Sequence, residues 1–131
     1  MHLSKTRLGN MDATARFEYL VRGCDLDKLK RFKKFHYDNL HVFDFVEEEA
    51  ARQYSDGWRK SSVWLILNNK RWGPGSTVDT ETQYKISNDY FAFYARLLIA
   101  NNPRYVDWVE LKCMNGQAGI YTADSFSGKA L

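Results

Sequence analysis

The sequence predicts a mainly α-helical domain: a compact bundle of about six helices arranged as three αα-hairpins. Three observations lead there. Apolar residues recur at intervals of three and four along most of the chain. Helix starters (Asp, Asn, Ser) and helix stoppers (Gly, Asn-Gly, Gly-Pro) fall between the periodic stretches. Finally, 44% hydrophobic residues with only 2 Pro and 8 Gly among 131 residues can supply one core with few interruptions. A chain of this length buries roughly two thirds of its surface on folding, so one domain spanning 1–131 is expected. The alternative is an α+β fold with short strands near 63–67 and in the C-terminal tail.

The first helix is expected over about 12–22. Asn10 or Asp12 caps it, Ala13, Phe17, Leu20 and Val21 form its apolar face, and Gly23 ends it. Cys24-Asp25 opens a second helix, about 26–37. Leu26, Leu29, Phe32 and Phe35 recur every three residues as its core stripe, and Asp27, Lys28, Arg31 and Lys34 fill the other face. A third helix, about 40–54, starts at Asp38 or Asn39. Phe43, Val46, Ala50 and Tyr54 point inward, and Glu47, Glu48 and Glu49 run across the solvent side. Leu40 to Val46 also alternates as a strand would.

After Ser55-Asp56-Gly57, a fourth helix is expected over about 57–70, carrying Trp58, Ser61, Ser62, Leu65 and Asn69 on one side. The unbroken run Val63 to Leu67 fits a buried strand almost as well. Gly73-Pro74-Gly75 ends this element, and a long loop follows at 73–86. Ser87 is placed to cap a fifth helix, about 88–101, that is apolar nearly all round and interrupted by Arg96, as a central buried element would be. Pro103 opens a sixth helix, about 103–114, with Tyr105, Trp108, Val109 and Lys112 on one face, and 117–131 reads as a loose tail. The hairpin spacing is compatible with a helical repeat, but neither the ankyrin nor the tetratricopeptide consensus is present.

Charge comes in blocks. Residues 1–37 carry nine basic and four acidic side chains, 38–56 one basic and six acidic, and 57–75 four basic and none acidic. The N-terminal residues contain no apolar signal segment, and the longest apolar runs are far short of a membrane span. Cys24 and Cys113 have neither zinc spacing nor a CxxC motif, so they read as reduced thiols of an intracellular, cytoplasmic protein with no membrane partner.

Two clusters qualify as binding surfaces. Trp58-Arg59-Lys60 and Lys70-Arg71-Trp72 would stand about 18 Å apart on one continuous helix. They pair interface-prone aromatics with cations and so form the candidate protein-binding site. Lys28, Lys30, Arg31, Lys33 and Lys34, with Phe32, Phe35, His36 and Tyr37 between them, form a candidate nucleic-acid face, one that loses its stacking platform if Phe32 and Phe35 are core. His41, Asp44 and Glu48 share a helix face at spacings that a metal could use, a pattern that acidic helices also produce by chance. No Walker loop, GxGxxG, GxSxG or HExxH occurs, and nothing calls for a cofactor. The expected function is non-enzymatic: binding of another macromolecule, with a protein partner favoured, as a regulator or inhibitor acting by surface occlusion. A nucleic-acid-binding accessory protein is the alternative, an enzyme with an unrecognised site the third reading, and a homo-oligomer covering the apolar helix is a further expectation.

Overall fold

A computed structural model describes residues 8–68, 86 and 88–111 of the chain. Within these residues the protein is mainly helical: α1 (Ala13–Val21), α2 (Leu26–Asp38), α3 (Leu40–Ser55), α4 (Val63–Asn68) and α5 (Asn88–Asn101), followed by a single 3-10 turn at Pro103–Tyr105. No named strand occurs among the described residues, so Leu40–Val46 and Val63–Leu67 are helical.

The caps explain the early boundaries. The Asp12 carboxylate accepts from the Ala15 amide at 2.8 Å, and Asp25 accepts from those of Asp27 and Lys28 at 2.9 and 3.1 Å. Gly23, at φ 82°, takes the left-handed conformation that ends α1. Asn39 separates α2 from α3 with φ −139° and ψ 54°. It does not cap α3 through its side chain; its amide instead donates back to the Phe35 carbonyl at 3.0 Å.

α5 is the central element. α1 packs most extensively along it, and α2, α3 and α4 also touch it. Phe93, Tyr94, Leu98, Ile99 and Ala100 are buried there. Most of the cover expected from a second copy is therefore supplied by the chain's own helices. Arg96 is fully buried, donating to the carbonyls of Leu20 at 3.2 Å and Ala92 at 3.0 Å. These bonds compensate a cation that would otherwise be costly to bury. Arg16 closes the same seam, its Nε donating to the Ala100 carbonyl at 2.5 Å.

Several expectations fail for geometric reasons. A strict three-residue repeat drifts by about 60° per step on a helix of 3.6 residues per turn. Leu26 and Phe35 therefore lie half a turn apart and cannot both face the core. Leu29 and Phe32 are buried, Phe35 is half-buried, and Leu26 is 73% exposed. Glu49 is not on the solvent side. It follows Val42 and Val46 along the same inward line, with Gln53 beyond it, and is 1% exposed.

The predicted fourth helix is much shorter than 57–70. Gly57 sits at φ 88°, and Ser61 is held in a parallel bridge to Val109. The Ser61 amide donates to the Trp108 carbonyl, and the Glu110 amide donates to the Ser61 carbonyl, both at 2.9 Å. A backbone committed to these bonds cannot also build a helix, so α4 starts only after Ser62, whose Oγ accepts from the Leu65 amide at 3.1 Å. The same bridge stops the predicted sixth helix after its first turn at Pro103–Tyr105. Ser87 as a cap, the 73–85 stretch of the loop, Cys113, and the 117–131 tail lie outside the described residues.

Candidate binding surfaces

The tryptophan-flanked pair does not form the predicted rail. Trp58 is half-buried against the core, and its carbonyl accepts from Trp108 Nε1 at 2.8 Å, which ties it inward. Arg59 and Lys60 are exposed in the non-helical segment before Ser61. The 18 Å helical spacing is lost with the helix, and Lys70, Arg71 and Trp72 lie outside the described residues.

A different apolar surface emerges nearby. α4 buries Val63, Ile66 and Leu67 and turns Trp64 and Leu65 outward, 58% and 40% exposed. Trp64 borders a half-open groove of about 390 Å³, with Val63, Phe91, Ala92 and Ala95 as apolar lining and Ser62 and Glu110 as polar lining. The sequence held the signal. If five successive apolar residues are helical, only about three can share one face, so two must point away from it.

The basic face of α2 is reorganised. Lys28 turns toward α5 and lies 3.6 Å from Asp89. Lys33 lies 3.8 Å from Glu18 and Lys34 3.1 Å from Asp38. These pairs are solvent-accessible and hold their partners weakly. Lys30 and Arg31 are exposed and pair with no carboxylate among the described residues. Phe32 is 1% exposed and packed edge-on to Tyr94 and stacked on Phe93, with ring centroids 4.9 and 5.1 Å away, so it cannot serve as a platform.

Two buried polar groupings belong to the scaffold. Glu49 accepts from Arg52 Nε at 3.0 Å and from Gln53 at 3.2 Å, and Ser61 Oγ donates to Gln53 Oε1 at 2.5 Å. This chain fastens the segment before α4 to α3. His36 stacks on Phe32 and meets Phe43 and Tyr94 edge-on. Burial lowers its pKa, and Asp44 opposes this by favouring the charged imidazole. Burial raises the Tyr94 hydroxyl well above the usual phenol range, with a smaller push from Tyr90.

His41, Asp44 and Glu48 do not gather into a metal site. Among the described residues no group of three His, Cys, Asp or Glu side chains is arranged to hold an ion. Compared with known protein families, curated proteins and solved structures, the chain shows no match. The reading of its surfaces therefore rests on their own chemistry. Burial raises the Cys24 thiol pKa, with Arg96 pulling the other way, which favours the protonated, unreactive form. No helix among the described residues is long and apolar enough to cross a membrane.

Proposed function

We propose that this chain is a non-catalytic binding protein that engages a protein partner through the Trp64–Leu65 face of α4 and the adjoining groove. One observation supports this reading most: a large aromatic and a leucine stand exposed beside an apolar recess, on a helix whose other side is firmly packed. Tryptophan is enriched at interface hot spots because it removes a large area from water when it enters a partner's pocket. Arg59 and Lys60 stand a few residues before this face and steer an acidic partner toward it. By covering a partner's surface the protein acts as a regulator or inhibitor inside the cell.

The test is affinity capture from lysate of the native host after nuclease treatment. A partner retained by the wild-type protein and lost with the Trp64→Ala/Leu65→Ala double variant supports the reading. A partner held equally by both proteins, or one released by nuclease, refutes it. Both positions are exposed, so the variant should keep its unfolding midpoint, which confirms that any loss belongs to the surface.

A further inference from the structure

We infer that the outward face of α2 is a sequence-independent site for single-stranded nucleic acid, with Tyr37 as its stacking platform. Tyr37 is 77% exposed, so its ring is open to a ligand. On a helix of 3.6 residues per turn, Tyr37 lies within about 40° of Lys30 and Lys33 around the axis, and Lys34 is only slightly farther round. Lys30 and Lys33 precede it by two turns and one turn, at about 10 and 6 Å along the axis. The face thus places a row of cations leading to an exposed aromatic ring, whose one ring contact among the described residues is with the neighbouring His36. This is the combination that single strands require: charge for the phosphates and a π-surface for a base.

Charge decides the class of ligand. On this face Lys30 has no carboxylate partner among the described residues, and the ion pairs of Lys33 and Lys34 are exposed enough to exchange for phosphate. Its cationic groups act on phosphate oxygens, which DNA and RNA share, and a π-face is common to every base, so the face is expected to hold both kinds of strand. This surface lies on α2 and the protein-docking groove lies on α4 and α5, so either can fail without the other.

The test is fluorescence anisotropy with labelled 15-residue oligo(dT) and oligo(U), at low salt and protein up to about 100 μM, the weak end of non-specific affinities. Both strands should bind within a few-fold of each other. Tyr37→Ala should weaken binding roughly 5- to 150-fold, as loss of one base stack does, whereas Tyr37→Phe should keep it. Replacing Lys30, Lys33 and Lys34 together by Gln should reduce the log–log salt slope by about 2. These side chains are exposed, and an unchanged urea midpoint for each variant shows that the fold is intact. No binding in this range overturns the inference. So does binding that is indifferent to Tyr37→Ala, or equal competition by polyglutamate, which would make the face a general acidic-polymer or acidic-protein surface.

Discussion

Replacing Phe32 by alanine is the sharpest test of how α2 divides its residues between core and surface. Phe32 is 1% exposed, and its ring meets Phe17, His36, Tyr90, Phe93 and Tyr94 at centroid distances from 4.9 to 6.4 Å. Truncating a buried phenylalanine costs about 3–5 kcal/mol, combining the lost transfer free energy with the cavity left behind. The two closest ring pairs add aromatic contact beyond simple area burial, which keeps the loss off the lower end of that range, at about 4 kcal/mol. With a urea m-value of about 1.5 kcal/mol/M, the unfolding midpoint should fall by roughly 2.5 M at unchanged m. Leu26→Ala, on the same helix but 73% exposed, should move it by less than about 0.5 M. Urea unfolding followed by far-UV circular dichroism measures both. A Phe32→Ala loss below about 1.5 kcal/mol, or a Leu26→Ala loss as large, would show that the inward and outward sides of α2 have been assigned wrongly.

Other outcomes follow from the buried polar groups. Burial holds the folded-state pKa of His36 below its ordinary 6.5, so the stability it contributes is fully present above pH 6.5 and declines as pH falls from there toward the folded value. The groups around the imidazole are Asp44, which favours its charge, and Phe32, Tyr37, Phe43 and Tyr94. His36→Phe should flatten the pH dependence of the thermal midpoint between 6.5 and 5, and an unchanged slope would contradict this. The Tyr94 hydroxyl is buried with no hydrogen-bond partner among the described residues, so Tyr94→Phe should be neutral or stabilising by up to about 2 kcal/mol in urea unfolding. A clear destabilisation would reveal a partner for that oxygen. Ser61→Ala removes the buried bond to Gln53 and should cost about 1–2 kcal/mol, whereas Gln53→Ala and the double variant should show that the two losses are not additive. Gly57→Ala should cost about 1 kcal/mol through its positive φ alone, because nothing lies within 4 Å of the added Cβ.

The legible part of this protein was its local grammar. Asp12, Gly23 and Asp25 set the ends of α1 and the start of α2 by short-range hydrogen bonding and backbone sterics, so the sequence alone contains their reasons. The near-continuous apolar character of 88–101 likewise marks α5 as central, because no side of it could tolerate much water. The illegible part depended on contacts between distant residues. The bridge from Ser61 to Val109 spans 48 positions, and it commits the backbone at both ends to bonds that a helix would need. No pattern near Trp58 announces that bridge, so the candidate site drawn on a continuous helix lost its geometry. The α2 face failed differently. A three-residue repeat drifts round the helix and moves Leu26 out of the core, and of the aromatics interleaved with the basic residues Phe32 is buried while Tyr37 is largely exposed. Glu49 shows the same error in reverse, a charged residue on the inward line of α3 that a run of three glutamates disguised as solvent-facing.

The claim that α4 is the docking element is tested most directly by site-specific photo-crosslinking. A photoreactive amino acid is placed at Leu65 and, as a control, at Glu48 on the exposed side of α3. In nuclease-treated host lysate, position 65 should yield one dominant crosslinked polypeptide, competed away by unlabelled wild-type protein and not by Trp64→Ala. Equal labelling from positions 65 and 48, or a product that survives competition, would contradict the assignment of Trp64 and Leu65 as the surface through which this protein works.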